Sequence, residues 1–230
     1  MKITDLYKVA LAAAVSACFS LPAMAEGISP ANVGVSGMVG TTGVGVHVSV
    51  PILRTLNARF GVSYFEHSTT GSTSNVDYKY KLKLNTFDAL ADWHPMGNGF
   101  RVTGGLLWNG NKVDATAKAR NGEYEVNGHL YNASQAGDLK GRIDFRDVAP
   151  YLGIGWGSAP SSKGWSFSGD LGVIFQGTAR ASLKNRNCTL SAALCAQLAD
   201  DIEAERKELR DEVKDYRYYP VIRAGASYRF

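Results

Sequence analysis

The sequence predicts an all-β protein, an eight-stranded antiparallel up-and-down transmembrane β-barrel with one helical external loop. Three observations predict it. An export signal opens the chain, yet no later stretch of about 18 apolar residues could form a spanning helix. Successive segments alternate apolar and polar residues at period two, as strands with two unlike faces do. The connections between them are alternately short and long, the pattern of outer-membrane barrels with short periplasmic turns and long external loops.

The opening segment "MKITDLYKVALAAAVSACFSLPAMA" carries Lys2 and Lys8, then an apolar run from Val9 to Leu21. It closes on Ala23-Met24-Ala25, the small-x-small end of a signal-peptidase site. Residues 1–25 therefore read as a cleaved signal peptide and 26–230 as the barrel. Val15-Ser16-Ala17-Cys18 also matches a lipobox, which would put a lipidated Cys18 at the mature terminus. The apolar run continues past Cys18 to the better site. Lys2, Lys8 and Asp5 leave with the signal, taking the formal charge from +4 to +3. That balance is too mild for nucleic acid, and no basic cluster with interleaved aromatics is present.

The strands are taken in order. A first strand near 31–39 puts Val33, Val35 and Val39 on one face, with Gly40-Thr41-Thr42 as a tight external turn. The second, 42–51, sets Val44, Val46, Val48 and Val50 against His47 and Ser49. The third, 57–67, sets Phe60, Val62 and Tyr64 against Arg59, Ser63 and His67. The fourth, 77–94, is apolar at Tyr78, Tyr80, Leu82 and Leu84, then at Phe87, Ala89, Ala91 and Trp93. Its phase changes near Asn85-Thr86, which predicts a bulge, and a second slip is expected between Arg146 and Val148. Strands at 99–117, 141–157, 164–182 and 217–230 complete the even number that places both chain ends on the periplasmic side.

The last external loop differs in kind. Leu190, Leu194, Leu198, Ile202, Leu209 and Val213 recur at helical spacings, predicting a helix over about 189–215 with a Glu203–Lys207 pair. From Leu198 to Asp215 it holds eight acids and four bases. It either leans over the barrel mouth or is a solvated amphipathic helix. Cys188 and Cys195 sit before it; an even count in an exported chain predicts a disulfide. A metal site lacks a histidine or second cysteine pair nearby.

With the apolar faces turned to lipid, the lumen receives His47, Arg59, Asp88, Asp92, Arg101, Asn109, Asp170, Gln176, Arg223 and Arg229. Arg223 and Arg229 should face acids such as Asp88, Asp92 or Asp170, with Arg217 at the external lip. An eight-stranded interior is just wide enough to be filled by side chains. Paired charges there form either a structural plug or a narrow polar path with charged constrictions. His47-Val48-Ser49 has the H-x-S spacing of outer-membrane lipid A deacylases, but it lies early in the chain with no acid legible beside it. Outer-membrane proteases need larger barrels. The glycine-rich "GIGWG" and "GVGVH" do not open a helix after a strand, so nucleotide binding is unsupported. No cofactor is expected.

"VGTTGVGV", "FDALADWHPMGNGFRVTGGLLWNGNKVD", "NGHLYNASQAG", "DVAPYLGIGWG" and "GDLGVIFQG", with the acidic helical loop and the aromatic end, resemble the small eight-stranded outer-membrane proteins of the CarO type. The Asp92-Trp93-His94-Pro95 turn and the Ala149–Gly153 strand carry it most strongly, and it covers nearly the whole mature chain. OmpW-type barrels are a looser match, with a less charged lumen. The resemblance implies a bacterial outer-membrane channel for small polar solutes, basic amino acids in some members. The alternative is a structural or adhesive barrel that binds partners through its external loops. The resemblance further implies that Tyr228 and Phe230 form the terminal signal read by the barrel assembly machinery. The expected surroundings are outer-membrane lipids and lipopolysaccharide. The cysteine pair departs from the family pattern.

Overall fold

A computed structural model describes residues 33–72, 76–119, 122–157 and 163–230. The signal peptide and Cys18 lie outside the described residues.

Alternation closes into a ring. Strands β1 (Gly34–Gly40), β2 (Gly43–Leu53), β3 (Leu56–Ser72), β4 (Val76–Trp93) and β5 (Phe100–Asn109) pair in sequence. Further strands precede the return to the ring: β6 (Lys112–Ala119), β7 (Glu123–Val126), β8 (His129–Asn132) and β9 (Asp138–Asp144). Then β10 (Val148–Trp156) pairs with β5, β11 (Gly164–Phe175) pairs with β10, and, after β12 (Arg180–Arg186), β13 (Tyr218–Arg229) pairs with both β11 and β1. The last contact runs from Gly34 opposite Arg229 to Gly40 opposite Arg223, so β1, β2, β3, β4, β5, β10, β11 and β13 form a closed eight-stranded antiparallel barrel. Closure leaves no lipid-exposed edge with unpaired backbone groups. The β1–β2 turn at Thr41-Thr42 is strapped to β13, with Thr41 Oγ1 donating to Pro220 O at 3.0 Å and accepting from Ile222 N at 3.1 Å.

The outer surface is apolar. Val44, Val46, Leu106, Leu152, Ile154, Phe167, Leu171 and Ile222 are all exposed, an area no water-soluble monomer leaves open. Aromatic rings gather at both margins. Trp165, Tyr228 and Phe230 meet edge-on at the short-turn end, where Trp93 and Trp156 are also exposed at the ends of β4 and β10. Phe87 lies 5.2 Å from Trp108, and Phe175 lies 5.6 Å from Tyr218, at the other end. From Trp165 to Phe175 the strand climbs about 34 Å, or about 26 Å along the normal at a tilt of about 40°, the height of an outer-membrane apolar band. No helix among the described residues is long and apolar enough to cross a membrane.

The predicted bulge at Asn85-Thr86 does not exist. β3 and β4 pair without a slip from Leu56 opposite Trp93 to Ser72 opposite Asp77. The same face of β4 points inward across the phase change, with Leu84, Thr86, Asp88, Leu90 and Asp92 all buried. What changes is the surroundings. Below Asn85 the outer face meets the hydrocarbon; above it β4 leaves the hydrocarbon and pairs with β6, and Tyr80 of the inward series is exposed. At the same height β5 gives way to β6. There Asn111 Oδ1 accepts the Asn85 N–H at 2.9 Å in place of a backbone carbonyl. The slip expected near Arg146–Val148 is present: Tyr151 pairs with Ile174 and Asp144 with Arg180, so the β9–β10 side holds one extra residue.

Above the barrel, β6, β9 and β12 continue β5, β10 and β11 and pair with each other and with upper β4 as an external sheet. On its inner face Ala117, Leu139 and Leu183 pack with Tyr124, Val126 and Tyr131 of the β7–β8 hairpin and with Leu198 and Ile202 of α2 (Ala192–Val213); a single turn, α1 (Ala133–Ala136), follows the hairpin. The helix is thus neither free in solvent nor one continuous stripe: Leu198 and Ile202 are buried while Leu194 is exposed. Glu203 bonds Arg206 rather than Lys207. Asp201 fastens helix to hairpin, accepting from Asn127 Nδ2 at 3.0 Å, from the Tyr131 hydroxyl and from His129 Nδ1 at 2.9 Å. Those bonds, Asn127 and Tyr131 first, hold its carboxyl below the usual range, while burial and the carboxylate push the Tyr131 hydroxyl up to about 12.

Cys188 and Cys195 are bonded, tying the end of β12 to the first turn of α2, whose N-terminus Ser191 caps. A closed loop this short restricts the unfolded chain by about 2.5 kcal/mol. Replacing both cysteines by serine should therefore accelerate proteolysis of the 188–213 segment roughly tenfold or more while leaving barrel heat-modifiability unchanged; limited trypsin digestion followed on gels reads both.

Candidate functional site

The lumen is filled rather than open. All ten polar positions assigned to it from period two point inward and are at most 5 % exposed. They sort into two ion-paired groups, a polar floor and a polar upper rim.

At the external end, Arg223 of β13 donates from Nη1 to Asp88 Oδ2 at 2.6 Å and from Nε to Thr42 Oγ1 at 2.9 Å. The same Asp88 oxygen lies 3.0 Å from His47 Nε2. The strands make room for this: a Cβ on Gly61 would sit 2.0 Å from the His47 ring. His47 therefore has an acid partner that the sequence did not reveal, because Asp88 is on β4. Ser49 reaches instead toward the Gly34 carbonyl at 3.5 Å, so the H-x-S spacing forms no serine–histidine bond. The nucleophile–base contact required for acyl transfer is absent from this pair.

Deeper in, Arg59 donates to Asp170 Oδ2 at 2.7 Å and to Asp92 Oδ1 at 3.1 Å, and Arg101 donates to Asp170 Oδ1 at 2.6 Å. Thr103 Oγ1 donates to Asp92 at 2.6 Å. Two guanidiniums and two carboxylates from β3, β4, β5 and β11 thus neutralise one another across the barrel. Gly155 is a glycine because a Cβ there would meet Asp170 Oδ1 at 2.6 Å and Arg101 Nε at 2.9 Å.

Arg229 belongs to the short-turn end. With Ser36, Ser49, Asn57, His94 and Ser168 it borders a cavity of about 30 Å³, room for ordered water and far below a pocket for an organic solute. Asn109 and Gln176 lie at the upper rim. Asn109 Oδ1 accepts from Asn111 N at 3.2 Å, and Gln176 Nε2 donates to Tyr216 O at 3.0 Å. Arg217 stands exposed at the lip, with Nε donating to Lys214 O at the end of α2 at 3.2 Å.

Alternation missed one layer. Leu90, Leu107, Ala149, Tyr151, Ile174 and Val221 also face inward and form a buried apolar cluster. Leu107 stands directly opposite Asp88 and Ala149, so this layer abuts the upper ion pair. Its members lie beside lipid-facing Leu106, Trp108, Leu152 and Ile222, and apolar residues on both faces conceal the period. Among the described residues no cluster of acids, histidines and cysteines could hold a metal ion.

No protein-family model and no curated protein sequence matches the chain. Solved structures do. CarO of Acinetobacter baumannii superposes with a TM-score of 0.54 at 21% identity, over 86% of this chain and 97% of that one. CarO2 of the same organism gives 0.53 at 23% identity, over 86% and 98%. The chain therefore has the fold of the small eight-stranded outer-membrane barrels typified by the A. baumannii CarO structures.

Proposed function

We propose that the protein is an outer-membrane channel for small polar solutes, closed at rest by its own ion pairs. One observation carries the reading. Charged side chains line the lumen from Arg223 through Arg59 and Asp170 to Arg229, where apolar packing would be the cheaper filler. Ion pairs can exchange partners with a charged solute, whereas a packed apolar core cannot. A basic amino acid, the class the CarO-type resemblance suggests, would compete for Asp88, Asp92 or Asp170. Tyr228 and Phe230 supply the terminal signal for barrel assembly in this reading.

Planar-bilayer recording of the purified chain tests it. Wild type should give small, infrequent openings. Arg223→Ala removes the cation that holds Asp88 and Thr42, so it should raise open probability and shift selectivity toward cations. Absence of conductance in both proteins would overturn the proposal.

The external domain supports a second reading, a barrel that displays a binding surface. It has its own core and disulfide, more structure than a gate requires. Partner binding abolished by deleting α2, in a barrel that stays heat-modifiable, would favour it.

A further inference from the structure

The lipid-facing surface of the barrel does not stop at the girdle of Phe87 and Trp108. It runs upward into the outer face of the external sheet, whose other face is covered by the hairpin and α2. Rows of cross-strand partners make up this outer face. Lys83 stands directly opposite Lys112, and Lys140 directly opposite Lys184. Lys79 joins the second row through Thr116. Like charges set opposite each other in a sheet are destabilising. Acids flank the first pair, Glu66 directly opposite Lys83 and Asp144 directly opposite Lys112. Their close contacts go to other cations, Glu66 to Lys81 at 2.5 Å and Asp144 to Arg180 at 2.6 Å, as Asp114 goes to Arg142 at 2.6 Å. Lys79, Lys83, Lys112, Lys140 and Lys184 have no ion pair among the described residues, while Asp138 faces Arg186 further up.

The height of the rows selects the counter-charge. Lys83 is four residues above Phe87 on the same face of β4, about 13 Å along the strand and about 10 Å along the normal at the usual tilt. The headgroup layer occupies about the first 5–8 Å beyond the hydrocarbon. The first lysine row therefore borders the phosphates of the surrounding leaflet, and the second row reaches into the sugars above.

We propose that this face binds the phosphate groups of the outer-leaflet glycolipid, one seated between Lys83 and Lys112 and another near Lys79, Lys140 and Lys184. A phosphate between two ammonium groups turns each repulsive lysine pair into a bridge. The surface lies outside the lumen, so the inference does not depend on whether the barrel conducts.

The test measures retention of diphosphoryl lipid A by the detergent-solubilised full chain, using native mass spectrometry. The variant carries Lys83→Gln, Lys112→Gln, Lys140→Gln and Lys184→Gln. A control carries Lys207→Gln and Arg210→Gln on the exposed side of α2. At about fivefold per surface cation, each lysine pair removed should weaken retention roughly 25-fold, while the control should match wild type. Monophosphoryl lipid A should bind the wild type more weakly than the diphosphoryl form. In lipid-free detergent the fourfold variant should resist heat about as well as wild type, because the Lys–Lys repulsions it removes offset the attractions of Lys83 and Lys112 to Glu66 and Asp144 opposite them; this separates lost binding from lost folding. Equal retention by variant and wild type would overturn the proposal. So would displacement of lipid A by equimolar inorganic phosphate, which would mark a site for free anions.

Discussion

Asp170→Ala should lower barrel stability by about 3–5 kcal/mol, the cost of leaving buried charge uncompensated. Asp170 is the hinge of the deeper network. Its Oδ2 accepts from Arg59 at 2.7 Å, and its Oδ1 accepts from Arg101 at 2.6 Å and from Arg59 at 3.3 Å. Without it, two guanidiniums are left to share Asp92, whose carboxylate lies 2.9 Å from Arg59 Nε but 3.8 Å from Arg101 Nε. Arg101 then has no short ionic contact, beside a cavity of about 30 Å³ with room for little more than one water. The urea midpoint for loss of heat-modifiable mobility measures the cost, and a lower midpoint with an unchanged slope is expected. Asp170→Asn retains one carbonyl acceptor and should lose less. A change under about 0.5 kcal/mol for Asp170→Ala would mean that water from the small cavity beside Arg59 and Arg101 solvates both arginines, and ion pairing would not be what holds this level of the lumen.

The residues that make this network were legible in the sequence; their partnerships were not. Period two assigns Arg59, Asp92, Arg101 and Asp170 to one face because each is flanked by apolar neighbours that must meet lipid. Which acid meets which arginine depends on strand stagger around the ring, and Arg59 and Asp170 are separated by 111 positions. The same limit hid the His47–Asp88 pair. Elsewhere, local pattern was read with the wrong surroundings. The phase change at Asn85-Thr86 resembles a bulge only if lipid is assumed to border the whole strand; in the structure the strand leaves the membrane there, and its inner face turns from polar to apolar. The β7–β8 hairpin went unread within a long loop although Asn127-Gly128 marks it. Both residues have positive φ, 51° and 77°, as a two-residue hairpin turn of that type needs. The external sheet was foreshadowed only as the upper ends of long strands. Its inner packing needs Leu198 and Ile202 of α2, which a helical period suggests but cannot dock.

Replacing the upper ion pair whole should separate stability from function. Asp88→Leu alone leaves Arg223 buried with only Thr42 and His47 beside it, and should cost about 3–5 kcal/mol. Arg223→Met with Asp88→Leu removes both charges. The introduced leucine side chain would then stand opposite Leu107 and extend the apolar layer of Leu90, Leu107 and Ile174. Buried ion pairs exchanged for apolar residues of similar volume are often neutral or stabilising by about 1–4 kcal/mol, so the double variant should recover nearly all the stability lost in the single one. Its unfolding midpoint should fall within about 1 kcal/mol of wild type or above it, a coupling that a double-mutant cycle measures directly. Conduction should behave in the opposite way. An apolar ring at this height excludes water and ions, so the double variant should stay silent in bilayers under conditions where Arg223→Ala conducts more than wild type. A stable double variant that conducts like wild type would show that the upper pair only fills the barrel, and the gate would have to be sought at Arg59, Asp92 and Asp170.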